Sequence, residues 1–104
     1  MDATLKKIKI QTGVVKRIAK ETQMYKDEVV TTNKKIEEIR AIDKDDYSLK
    51  KTAELLQESE MMVSDCQKRL KTSIEHLHQL VTQNNEFKDE EIYKNAMVVL
   101  EDVQ

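Results

Sequence analysis

With 104 residues there is room for one core, and a charged share of 37% against 38% hydrophobic excludes a thick globule. A formal charge of −2 lacks the basic surplus of a general nucleic-acid binder. The lone Cys66 excludes an internal disulfide, and no apolar run approaches the length of a membrane span.

These limits, with one Gly, no Pro and no Trp, point to long solvated helices. The opening MDATLKKIKIQTG has no apolar signal-peptide core, so the expectation is a soluble intracellular protein.

The first helix is expected over about 4–40. Ile8, Val15, Thr22, Val29 and Ile36 recur at intervals of seven, with Gln11, Ile18, Tyr25, Thr32 and Ile39 as companions. Leu5 and Ala19 broaden this seam, which suits bundle packing. Gly13 within the pattern costs about 1 kcal/mol relative to Ala. It implies either a close backbone approach or a tolerated bend. The breaker AIDKDDYS, residues 41–48, forces an antiparallel hairpin, with Asp46 or Ser48 as the N-cap of the next helix.

The second helix is expected over about 49–83, on the seam Leu49, Leu56, Val63, Leu70 and Leu77, widened by Ala53, Cys66, Ile74, Leu80 and Val81. Within it, LLQESEMMVSDCQKRL sets two methionines side by side. Neighbours on a helix point about 100° apart, so one stripe cannot hold both. Met62 falls on the flank of the stripe beside Leu55, and Met61 on the far side, facing water.

Asn84 and Asn85 break the pattern and are expected to cap a third helix over about 86–103, with Ile92, Ala96, Val99 and Val103 as its apolar face and Tyr93 and Leu100 beside it. At about 1.5 Å per residue the first two helices reach roughly 50–55 Å and the third about 27 Å. The third must therefore fold back along the C-terminal half of the second. The expected architecture is all-α: an elongated antiparallel three-helix bundle, one domain over 1–104.

Chemistry-bearing patterns are sparse. His76 and His78 diverge by about 200° on a helix and cannot share a metal; ligand pairs on helices sit three or four apart. Cys66 lies in the seam and reads as a small buried hydrophobe. Glu37–Glu38, Asp45–Asp46 and Glu90–Glu91 are solvated charges, and a thin bundle offers no pocket for catalytic carboxylates. No Gly-rich phosphate loop is present. The reading is a non-enzyme without cofactor or metal. Charge is distributed unevenly, with Lys6, Lys7, Lys9, Lys16, Arg17 and Lys20 near the start and Glu86, Asp89, Glu90, Glu91, Glu101 and Asp102 near the end. The two clusters either neutralise each other, or the basic face steers an acidic protein partner. Met61, one turn from Glu58 and Asp65, suits a forgiving contact surface.

Two long segments, KIKIQTGVVKRIAKE in the first helix and LKKTAELLQESEMMVSDCQKRL in the second, resemble tubulin-folding cofactor A, the tubulin-specific chaperone A family. The resemblance covers both long helices and the chain length. It implies a cytosolic three-helix bundle that binds β-tubulin released from the cytosolic chaperonin, without catalysis, through extended polar helix surfaces. Implied partners are β-tubulin and other tubulin-folding cofactors, with no nucleic acid and no membrane. The implied location is the cytoplasm, at the microtubule cytoskeleton; separately, the apolar residues of the two-helix arm beyond the third helix, near Val29, Ile36, Ile39, Leu49 and Leu56, leave monomer and homodimer both open. Carried onto this sequence, the partner-binding candidates are Lys16, Arg17 and Lys20 on the first helix and Gln57, Glu58, Met61, Asp65 and Arg69 on the second. Glu60 and Ser64 depart from the family pattern, which has Arg and Pro there. A mid-helix Pro costs about 3 kcal/mol and kinks the helix; with Ser64 the second helix is expected to run on unbroken. The alternative is a structural coiled-coil or trafficking module, resembling the helical regions that pair with SNARE bundles, which would bury its seam only against partner helices.

Overall fold

The computed structural model describes residues 1–103 and is all-α: α1 spans Ala3–Ile42, α2 Ser48–Gln83 and α3 Glu91–Asp102. Among the described residues there is no strand and no positive-φ residue. α1 opens under the carboxylate of Asp2, whose Oδ1 accepts the Thr4 N–H at 2.7 Å. The loop is built from successive aspartate turns. Asp43 Oδ1 accepts the Asp45 N–H at 3.0 Å. Asp46 Oδ1 then accepts both the Ser48 N–H at 2.8 Å and the Ser48 hydroxyl at 2.7 Å. Asp46, rather than Ser48, is therefore the side chain that satisfies the exposed donors at the start of α2. The Ser48 hydroxyl, then the Ser48 N–H, hold the Asp46 carboxyl below its ordinary value of 3.8. α2 passes through Ser64 without interruption.

The chain packs as two units, Met1–Lys20 with Lys68–Gln104, and Glu21–Gln67. In the first, Ile8 and Val15 of α1, Leu77 and Val81 of α2, and Tyr93, Ala96, Val99 and Leu100 of α3 form one buried cluster. Leu70, Ile74, Leu80, Phe87, Ile92 and Val103 pack around it. The third helix does lie against the C-terminal part of α2, and the Tyr93 hydroxyl donates to the Val81 carbonyl at 2.9 Å near the end of that helix. Gln11 crosses from α1 to donate through Nε2 to the Ser73 carbonyl of α2 at 3.0 Å. In the second unit the buried side chains include Thr22 and Ile36 of α1 and Thr52, Ser59 and Cys66 of α2.

The start of the third helix differs from the sequence expectation over 86–103. Asn85–Phe87 forms a single 3-10 turn, Glu90 is extended at φ −77 and ψ 139, and α3 begins only at Glu91. Asn84 and Asn85 do not cap α3. The Asn84 side chain turns back and donates through Nδ2 to the Leu80 carbonyl at 2.8 Å, closing the end of α2. The turn lets Phe87 pack against the core before the chain enters α3, a tertiary contact that overrides local helix preference.

The α2 seam also differs in detail. Leu49, Leu56, Val63 and Leu70 are half-buried, and Ala53 is exposed. Cys66, Leu77 and Val81 of the expected seam are buried, and Thr52, Ser59 and Ser73 form with Cys66 a further buried row at intervals of seven. Small side chains occupy that row because they leave room for the facing helix. Two of its hydroxyls find acceptors on their own helix, Thr52 on Ser48 at 2.8 Å and Ser73 on Leu70 at 2.8 Å. Thr12 does the same on α1, donating to the Ile8 carbonyl at 2.7 Å.

Gly13 is exposed within unbroken helix, and a Cβ placed there meets nothing within 4 Å. A close backbone approach is thereby excluded. Gly13→Ala is expected to raise stability by about 1 kcal/mol, visible as a melting temperature higher by about 4–8 °C. Asp46→Ala should lower the melting temperature at pH 7. Because the folded carboxyl titrates below its ordinary value, its contribution is present above 3.8 and fades as pH falls through the depressed value. The difference between the two proteins should therefore close in acid, as followed by melts at stepped pH.

Candidate functional site: exposed helix faces

All the partner-binding candidates are exposed. In the first unit these are Lys16, Arg17 and Lys20 on α1 and Arg69 on α2; in the second they are Gln57, Glu58, Met61 and Asp65 on α2. Helical geometry explains the second group. Glu58, Met61 and Asp65 are three or four residues apart and form one exposed flank, beside the buried row through Ser59 and Cys66. Met61 is 66% exposed and Met62 37%, so the adjacent methionines divide as periodicity requires, one in water and one at the edge of the packed face.

Shallow grooves lie within the units, and two of them involve candidate residues. One, of about 290 Å³, lies between α1 and α2 in the second unit. Tyr25, Glu28 and Thr32 form one wall, Leu55, Glu58 and Met62 the other, with Ser59 among its lining. The other, of about 410 Å³, lies in the first unit and is lined by Gln11, Lys68, Arg69, Thr72, Ser73 and His76. Glu58 and Arg69 thus gain a groove context that the sequence did not disclose. Lys16, Arg17 and Lys20 line neither groove. Lys68, Thr72 and His76 are exposed but were not among the candidate contact residues. Their spacing of four was a usable signal for one shared helix face, but it does not say which face looks toward α1.

Among the described residues, no group of three or more His, Cys, Asp or Glu side chains is placed to hold a metal ion. Among those residues, too, no helix is long and apolar enough to cross a membrane. Cys66 is fully buried as a free thiol.

By class, then, the protein is an all-α three-helix bundle whose sequence-predicted contact residues lie on exposed helix faces. The family model for tubulin binding cofactor A matches residues 3–100. A tubulin-specific chaperone A from Gallus gallus is 48% identical, over 99% of this chain and 95% of its own length. Among solved structures, human tubulin chaperone cofactor a superposes with a TM-score of 0.87 at 43% identity, covering 96% of this chain and 97% of that one. Tubulin folding cofactor A from Arabidopsis thaliana superposes with a TM-score of 0.89 at 33% identity, covering 97% and 95%. The chain belongs to the tubulin binding cofactor A family.

The burial of Cys66 has a direct chemical consequence. In the native protein its thiol should react with a disulfide reagent at least about a hundredfold more slowly than in denaturant, because reaction requires the packed seam to open. A stopped-flow comparison of the two states checks this.

Proposed function

We propose that this chain captures β-tubulin released from the cytosolic chaperonin and holds it stoichiometrically, without catalysis, until assembly or hand-over to other tubulin-folding cofactors. The observation that carries the reading is the full-length match to tubulin-specific chaperones, joined to the exposure of every candidate contact residue. The whole chain, 1–104, acts as one working domain in the cytoplasm, at the microtubule cytoskeleton, as a monomer or homodimer. Met61 supplies an adaptable apolar contact between the carboxylates of Glu58 and Asp65, with Gln57 on the same helix, and Lys16, Arg17, Lys20 and Arg69 supply polar contacts from the first unit.

The closed core from Ile8 to Leu100 supports this reading over a coiled-coil module. A module that awaits partner helices would leave such a seam open, whereas here α3 covers it.

Co-elution with purified β-tubulin at two salt concentrations tests the proposal. A complex at low salt that weakens at high salt is expected, because exposed charges are screened over about 10 Å at 0.1 M salt. Met61→Asp should weaken the complex about fivefold or more, by replacing an apolar contact with an unpaired charge. Absence of any complex at low salt would overturn the reading.

A further inference from the structure

The groove between α1 and α2 in the second unit carries two carboxylates and no lining base. Glu28 stands on one wall and Glu58 on the other, and no lysine, arginine or histidine lines the groove. Their own helices do not neutralise them either. Three and four residues from Glu28 stand Met24, Tyr25, Thr31 and Thr32; the same neighbours of Glu58 are Glu54, Leu55, Met61 and Met62. None is basic, so neither carboxylate has a cation at the spacing that forms ion pairs along a helix. Two like charges on one groove raise its negative potential, and a cation placed between them relieves the repulsion. The ends of the groove are apolar. In the antiparallel hairpin Tyr25 stands at the same end as Met62, and Leu55 at the other end beside Thr32, with the two carboxylates midway. Leu55 is 49% exposed and Met62 37%, and Tyr25 is half-buried, so apolar surface stays open to water on both sides of the charges. From Tyr25 to Thr32, or Leu55 to Met62, each wall runs roughly 10 Å at about 1.5 Å per residue. That matches about three extended residues at roughly 3.3 Å each. The groove therefore suits a short segment that is apolar, basic and apolar in turn. Arginine fits its middle better than lysine, because the planar fork pairs with carboxylates and its flat face stacks on a tyrosine ring.

We infer that this groove binds an arginine of the captured protein that is flanked by apolar residues, with the guanidinium between Glu28 and Glu58 and the apolar neighbours resting on Tyr25 and Met62 at one end and on Leu55 at the other. The inference rests on the capture of a protein partner proposed above, and adds to it a defined surface and the chemistry that the surface selects.

The test titrates the isotope-labelled full-length chain with the peptide acetyl-Leu-Arg-Leu-amide at low salt and follows backbone amide resonances by NMR, which reads weak binding residue by residue. Saturable shifts are expected within 25–32 and 55–62. The same peptide with citrulline, which keeps the shape of arginine and removes its charge, should bind about tenfold or more weakly. Glu28→Gln/Glu58→Gln should lose about as much for the arginine peptide. Glu37→Gln/Glu38→Gln removes two charges from exposed α1 positions of the same unit and should bind as wild type does. Circular dichroism checks that both variants keep their helices. In parallel, β-tubulin co-elution of Glu28→Gln/Glu58→Gln should weaken. Five results each overturn the groove assignment: no saturable shifts in wild type, equal binding of the citrulline peptide, equal loss in both variants, lost peptide binding with unchanged tubulin capture, or movement of the same resonances on diluting the chain alone, which gives the groove to a second copy. None of them touches the tubulin reading, which fails only if wild type forms no complex with β-tubulin.

Discussion

A hydroxyl can sit in a tightly packed helix seam only if it finds an acceptor there, and this chain meets that demand within the helix itself. Thr12, Thr52 and Ser73 each donate to a carbonyl three or four residues back. Each bond avoids the penalty of about 1–3 kcal/mol for a buried donor left unmade. Among the described residues, no buried side-chain nitrogen or oxygen lacks a partner. A protein with as many charged as hydrophobic residues has little apolar material for its interior. Small satisfied hydroxyls allow helices to pair along faces that large apolar side chains do not fill.

That economy has a functional counterpart. Apolar residues concentrate where three helices meet, around Ile8, Leu77 and Val99, and most of the remaining surface is left to charge. The proposed contact residues then need no pocket. They need only a helix that holds its register, which the unbroken spans of α1 and α2 provide. Met61 shows the principle in one residue. It is held in water by the same geometry that buries Ser59 and Cys66 on the opposite side of α2.

Much of this was legible without coordinates. The row Ile8, Val15, Thr22, Val29 and Ile36 lies inward, the aspartate-rich breaker turns the chain, and Met61 is more exposed than Met62. Each follows from angular position around a helix axis, which periodicity encodes directly. Cys66, Leu77 and Val81 of α2 are buried as their spacing implies, but the burial of Thr52, Ser59 and Ser73 was not legible, because they look polar beside large apolar residues. Their spacing of seven through Cys66 was the available signal. The late start of α3 escaped for another reason: Phe87 packs on residues far away in sequence, and no local pattern reveals that competition. The groove at Arg69 shares this limit, since Gln11 and Ser73 are 62 positions apart.

The amino-acid sequence by itself determined that this protein is helical, where its long helices turn, which way their side chains face and which family it resembles. Those properties depend on residues within a few turns of one another, where 3.6-residue geometry leaves little choice. Only the tertiary structure decided which half-polar stripe becomes the inner row, where the last helix begins and which charges share a groove. Each of those outcomes depends on the distance between segments remote in sequence, and that distance is settled by packing.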